Sequence, residues 1–126
     1  MTVERLDHLV LTVQNIEKTI DFYMTILGMQ HVSFGDNRHA LVFGQQKINL
    51  HPLSVPLQPH AQYPTSGSAD LCFITQTPIP DVINHLQQSG INIEEGPVLR
   101  TGALGVITSV YFRDPDLNLI EVSNYH

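Results

Sequence analysis

His8-Leu9-Val10-Leu11-Thr12-Val13 and Asp70-Leu71-Cys72-Phe73-Ile74-Thr75 decide the fold of this chain, because each opens the same series of elements. Both are runs of β-branched and aliphatic residues in which alternate positions differ in character, the mark of a strand with two unlike faces. In the first, His8, Val10 and Thr12 share one face and Leu9, Leu11 and Val13 the other. Each run is followed by a helix-like stretch that ends on a glycine, Gly28 or Gly90. The offset is 62 residues in both cases, from His8 to Asp70 and from Gly28 to Gly90. One supersecondary unit is therefore used twice.

The first helix is bounded by Asn15 as N-cap and Gly28 beyond its end, with Ile16, Ile20, Tyr23 and Leu27 as its apolar stripe. The second carries Pro78 and Pro80 where missing N–H donors cost nothing, and Ile79, Val82, Ile83 and Leu86 as its stripe. Strand-like pieces at 30–34, 39–43 and 47–51 complete a βαβββ series, separated by Gly35-Asp36-Asn37 and Gly44-Gln45-Gln46. Residues 52–69 hold prolines, serines and glycine without a sustained period and read as a linker. In the second series, strands are expected at 91–94, 106–112 and 117–123, with a loop around Arg100-Thr101-Gly102. The expectation is one α+β domain over 1–126, with module 1 at about 4–51 and module 2 at about 70–124. Two βαβββ modules form a cupped mixed sheet with helices outside, because one such half-sheet leaves a face bare.

The bulk composition narrows the function. A chain of 126 residues with 42% hydrophobic and 14% charged residues has the makings of a core. A net charge of -6 with only six Lys plus Arg leaves no basic patch to neutralise phosphates, so nucleic acid is not an expected partner. No apolar run approaches the roughly 18 residues of a membrane span. The single Cys72 forms no internal disulfide, and the N-terminus lacks a charged region followed by a long apolar one, so a cytoplasmic setting is expected.

With Leu9, Leu11 and Val13 given to the helix side, His8 falls on the opposite face, and Asp70 does the same in the second module. Glu121 stands inside the apolar strand Leu119-Ile120-Glu121-Val122, where an ionised carboxylate needs a partner. Lys47-Ile48-Asn49-Leu50-His51 places Asn49 and His51 together on one face. Four matched strands thus offer His8, Asn49 or His51, Asp70 and Glu121, a mixed N/O donor set that suits Zn, Ni, Mn or Fe(II). Cys72 has no evident activating base and reads as a buried thiol, and His31 and His39 show no convergence. Arg113 with Asp114-Pro115-Asp116 reads as a turn that Arg113 braces by pairing with a carboxylate.

The His8–Val13 run, the helix with Phe22-Tyr23 and Ile26-Leu27-Gly28-Met29, and above all Tyr111-Phe112-Arg113-Asp114-Pro115-Asp116-Leu117-Asn118-Leu119-Ile120-Glu121-Val122 resemble the glyoxalase/bleomycin-resistance/dioxygenase superfamily, the vicinal oxygen chelate proteins. Lys47-Ile48-Asn49-Leu50-His51 and Arg100-Thr101-Gly102-Ala103 resemble the short glyoxalase-domain proteins, which include bacterial virulence proteins. The resemblance implies a divalent metal bound by the first and last strands of each module, at His8, Asn49, Asp70 and Glu121, and a substrate chelated through two neighbouring oxygens. It further implies dimers, sometimes with exchanged modules. The chain departs from the family pattern at two places. Asp70 stands where glyoxalase I and extradiol dioxygenases usually have His, and Asn49 stands where glyoxalase I has a Glu that helps move the substrate proton. An amide cannot act as a base at neutral pH.

The reading is a metal-dependent, glyoxalase-like lyase or isomerase for a small molecule, with Glu121 or Asp70 moving the proton and Arg100 holding an anionic part of the substrate. An extradiol-type dioxygenase is the neighbouring alternative, and it requires His51 to turn inward beside Asn49. A metal-free drug-sequestering protein of the bleomycin-resistance type is the other, and the absence of Trp counts against it.

Overall fold

The computed structural model describes residues 1–126, which divide into two compact units, Met1–Gly67 and Ser68–His126. Most of the linker therefore belongs with the first module. In the first unit the order is β1 (His8–Val13), α1 (Ile16–Thr25), β2 (Gln30–Phe34), β3 (Arg38–Phe43) and β4 (Gln46–Pro52). The second repeats it with β5 (Asp70–Ile74), α2 (Ile79–Gln88), β6 (Glu95–Gly102), β7 (Gly105–Arg113) and β8 (Leu119–Tyr125). Each unit builds one four-stranded mixed sheet, β1-β4-β3-β2 or β5-β8-β7-β6, with its first strand parallel to its last and at an edge. The fold is the α+β arrangement of two βαβββ modules that the repeat predicts.

Helix α1 begins where the Asn15 side chain accepts from the Lys18 N–H at 2.9 Å, and Gly28 beyond its end adopts φ +66°. Its expected stripe is corrected in one respect: the fully buried residues are Thr19 and Tyr23, while Ile16 and Ile20 are only half-buried. Thr19 can face the core because its hydroxyl donates to the Asn15 carbonyl at 2.9 Å, which satisfies the polar atom locally. In α2 Ile79, Val82 and Leu86 are buried as expected, while Ile83 of the expected stripe is only half-buried. Against the helices lie Leu11, Val13, Ile48, Leu50 and Leu41 in the first unit and Val110, Phe112, Ile120 and Val122 in the second, all buried.

The sheet register differs from expectation in one strand. Residues 91–94 are not a strand, and β6 runs from Glu95 to Gly102, so Arg100-Thr101-Gly102 ends a strand and is not a loop. Gly96-Pro97 reads as a break in sequence. Proline is nevertheless tolerated here, because β6 is an edge strand and its register shifts between Glu95 and Val98. Gly96 is required at this bulge: its φ is +115°, and a Cβ would stand 2.5 Å from the Ser109 carbonyl oxygen.

The Arg113–Asn118 turn is built as read. Arg113 pairs with Glu94 through two contacts, at 3.1 and 2.9 Å. Asp114 accepts from the backbone N–H groups of Asp116 and Asn118, each at 2.9 Å, and from the Asn118 amide at 2.8 Å. This clamp sets the start of β8 and, two residues on, the position of Glu121.

Candidate functional site

Side chains on the helix-free face of each sheet follow from strand alternation and pairing. In the first unit β1 pairs with β4 so that His8 lies opposite Lys47, Val10 opposite Asn49, and Thr12 opposite His51. His8, Asn49 and His51 therefore share the helix-free face. His8 is exposed and its Nδ1 lies 3.8 Å from an Asp7 carboxylate oxygen. Asn49 and His51 are only 6% and 5% exposed. Neither Asn49 Oδ1 nor His51 Nε2 has a hydrogen-bond partner. Buried polar atoms are normally satisfied, so two orphans on neighbouring positions mark a place that expects a ligand. Burial, reinforced by the charges of Arg38 and His60, lowers the His51 pKa from its ordinary value and favours a neutral imidazole.

Strand geometry separates the two. At about 3.3 Å per residue, His51 stands about 13 Å along the sheet from the level of His8, whereas Asn49 is two residues nearer, about 8 Å away when the spacing between strands is included. The register thus leaves Asn49 nearer His8 along the sheet than His51 is. His51 instead lines a water-sized recess with Thr12, His60 and Pro64.

The second unit repeats the geometry. Asp70 lies opposite Leu119 and Cys72 opposite Glu121, so Glu121 stands to Asp70 as Asn49 stands to His8. Asp70 is exposed at the start of β5, and Glu121 is half-buried. Cys72 is exposed, a correction to the expected buried thiol; desolvation and the nearby Glu121 and Asp70 carboxylates raise its pKa, and this keeps it protonated. The expected isolation of His31 and His39 is also corrected. Their rings stack and share a hydrogen bond of 2.8 Å across the β2–β3 hairpin, on the helix side and so away from these residues.

Glu121 is the centre of a hydrogen-bonded group that the sequence reading missed. Ser109 Oγ donates to Glu121 Oε2 at 2.5 Å, and Ser109 and Ser123 hydroxyls are 2.6 Å apart. Cys72 Sγ lies 3.5 Å from Ser123 Oγ. Tyr111 is directly opposite Glu121 across β7 and β8 and interacts with its carboxylate. Arg100 Nε donates to the Tyr111 hydroxyl at 3.1 Å, and Arg100 Nη2 donates to Glu95 at 3.2 Å. Burial first, and then Glu121, raise the Tyr111 pKa, so its phenol keeps its proton. The signal for these residues was present: a period of two through Ile107, Ser109, Tyr111 and Arg113 puts them on the face of Glu121. Correct placement of β6 was needed to bring Arg100 to the same place. Cys72, Arg100, Tyr111, Glu121 and Tyr125 surround an open concavity of 370 Å³.

The structure gathers no three His, Cys, Asp or Glu side chains into a group able to hold a metal ion. The donor types are ones that divalent ions accept: in the first unit an unpartnered amide oxygen and an exposed imidazole share one sheet face, and in the second two carboxylates stand at the equivalent positions. No helix is long and apolar enough to cross a membrane.

Comparison with known proteins identifies the family and the fold. The profile of the Glyoxalase/Bleomycin resistance protein/Dioxygenase superfamily matches residues 5–122. The chain is 59% identical over 125 residues to virulence protein STM3117 of Salmonella typhimurium, covering 99% of this chain and 87% of that one. The crystal structure of that protein superposes with a TM-score of 0.98 over 100% of both chains. Glyoxalase domain-containing protein RDO1 of Mycosarcoma maydis is 55% identical over 125 residues, 99% of this chain and 70% of that one. A lactoylglutathione lyase from Agrobacterium tumefaciens shares the fold, with a TM-score of 0.76 at 18% identity over 98% of this chain and 96% of that one.

Proposed function

Since this chain belongs to the glyoxalase/bleomycin resistance protein/dioxygenase superfamily, we propose that it is a divalent-metal-dependent lyase or isomerase for a small molecule that presents two neighbouring oxygens. The observation that carries the reading is the unpartnered, buried Asn49 Oδ1, two residues along the sheet from His8, in the register position that Glu121 occupies relative to Asp70. His8, Asn49, Asp70 and Glu121 would hold the ion, whether supplied by one chain or by two copies in a homodimer. A divalent ion held there would supply Lewis-acid chemistry, polarising the paired oxygens of the substrate so that a neighbouring C–H bond becomes more acidic.

The chain's own residues divide the remaining work. Asn49 has no basic electron pair at neutral pH, so proton transfer falls to carboxylates, and Glu121 is the better placed of the two. Its Oε2 accepts hydrogen bonds from the Ser109 and Ser123 hydroxyls, while a carboxylate has about four lone-pair positions, so acceptor capacity remains for an incoming proton. Asp70, exposed at the strand end, is the second carrier. Arg100 sets a positive charge at the edge of the concavity, where an anionic part of the substrate would be held.

The register weighs against an Fe(II) dioxygenase. His51 does turn to the face of Asn49, but it stands about 13 Å along the sheet from the level of His8, a long reach for two imidazoles on one ion. Elemental analysis of untagged protein tests the main reading. Close to one equivalent of a divalent transition metal per chain is expected, falling to background in His8→Ala and in Glu121→Ala. Metal-free wild-type protein that binds a ligand tightly would overturn it in favour of sequestration.

A further inference from the structure

Two cations of the first unit lack what the cations of the second unit have. Arg100 and Arg113 are neutralised by Glu95 and Glu94, whereas Arg38 and Lys47 have no carboxylate partner. Shortage does not explain it, since the chain carries 12 Asp plus Glu against 6 Lys plus Arg. Both cations rest instead on one aromatic ring: the Arg38 guanidinium carbon lies 5.0 Å from the centre of Phe34, and Lys47 Nζ lies 4.3 Å from it. Their charges are thus no more than about 9 Å apart, and attraction to the ring offsets part of their repulsion. Strand alternation puts Phe34, Arg38 and Lys47 on the helix-free face, with Phe34 opposite Arg38. Asn49 lies between the two cations on that face. It follows Lys47 by two residues on β4 and pairs with Ala40, which leaves Arg38 at a diagonal position about 7 to 8 Å away. Asn49 Oδ1, more than nine-tenths buried, has no hydrogen-bond partner. An amide oxygen only accepts, so Oδ1 needs a donor, and a bare anion has none to offer. A ligand that satisfies this face therefore joins a negative group to a hydroxyl.

We infer that this face of the first unit binds a small α-hydroxy acid: Arg38 and Lys47 hold its carboxylate, and Asn49 Oδ1 accepts from the adjacent hydroxyl. The inference rests on the proposal that the helix-free face receives the substrate, adds the chemical class of that substrate, and needs no metal. The two neighbouring oxygens are then the hydroxyl and one carboxylate oxygen. Arg38 offers a planar fork that matches a carboxylate, and Lys47 adds a point charge from the far side of the same ring system. The charge of Arg100 is already offset by Glu95, so Arg38 and Lys47 are the stronger holders of an anion. Selectivity follows from the same groups. A carboxylate without the hydroxyl leaves Oδ1 buried and unpaired, and a hydroxy amide leaves both cations without a counter-charge.

Chemical-shift titration of isotope-labelled, full-length protein kept in EDTA tests it with three probes: glycolate, which has both groups, acetate, which lacks the hydroxyl, and glycolamide, which lacks the charge. Glycolate is expected to move the signals of Phe34, Arg38, Lys47 and the Asn49 side-chain amide, acetate to bind at least about tenfold more weakly, and glycolamide to move none of them. Arg38→Gln and Lys47→Gln should each weaken glycolate binding by about tenfold or more, and added salt should weaken it in the parent. Lys18→Gln, on the exposed side of α1, should leave it unchanged. Equal affinity for glycolate and acetate would overturn the hydroxy-acid assignment, a comparison made in the parent protein and so independent of how any variant folds. Parent-like glycolate binding in both Arg38→Gln and Lys47→Gln, or no response to tens of millimolar glycolate, would overturn the carboxylate clamp. Binding that appears only once zinc is added would overturn the clamp and favour the metal reading. Glycolate binding by protein that takes up no metal in elemental analysis would uphold the clamp and sink the metal reading alone.

Discussion

Asn49 is the residue on which the chemistry of this chain turns. Its amide is buried on the face it shares with His8, with Oδ1 unpartnered, yet it cannot take a proton at neutral pH. The hemithioacetal of methylglyoxal and glutathione is therefore expected to be turned over poorly, at or near the uncatalysed rate in a spectrophotometric assay with added zinc or nickel. Brisk turnover would show that another base serves in place of the absent Glu. His51 supports a second expectation. Its pKa is lowered by burial first and by Arg38 and His60 after it, so folding favours its neutral form. A group of this sort stabilises the fold fully above its unfolded pKa of about 6.5, and the contribution fades as pH falls towards the lower folded value. Thermal midpoints should thus decline from pH 7 to pH 5.5, with a shallower slope in His51→Gln. An equal slope in parent and variant would assign the acid sensitivity to other groups.

At the scale of elements, β6 and β8 of the second unit are held by features with defined costs. Gly96 combines φ +115° with a backbone oxygen 2.5 Å from where a Cβ would stand. Gly96→Ala should destabilise by more than about 2 kcal/mol in urea unfolding, since both strain and clash oppose it. The Asp114 clamp is the other. Three donors meet its buried carboxylate, and Asp114→Ala leaves two backbone N–H groups without that acceptor. A loss of about 2 to 4 kcal/mol is expected, with unfolding midpoints as the readout. Both strands were visible in sequence to different degrees. The alternation in β8 was plain, whereas β6 was hidden by Gly96-Pro97, which reads as a break unless the strand is known to lie at an edge with a bulge.

For the whole molecule, the repeated unit leads to an expectation about how far each half stands alone. Each unit is a four-stranded sheet with one helix, and one helix covers one face. Residues 68–126 expressed alone are therefore expected to lack cooperative unfolding or to associate, as judged by calorimetry and light scattering. A monomeric fragment with a sharp transition would show that its open face needs no cover. The full chain is expected to run as a dimer of about twice 14.1 kDa, in keeping with the proposed homodimer.

What the amino-acid order alone determined was the repeat, the paired βαβββ series, the two helix boundaries and the face on which His8, Asn49, His51, Asp70 and Glu121 lie. These follow from periods of 2 and 3.6 and from capping residues, which are local properties. Only the tertiary structure decided that Asn49 stands nearer His8 than His51 does, that Arg100 lies in a strand beside Tyr111, and that Ser109 and Ser123 close on Glu121. These depend on which residue faces which across neighbouring strands. Register is set by packing and bulges between segments distant in sequence, and a one-residue slip would have sent every one of these side chains to the other face.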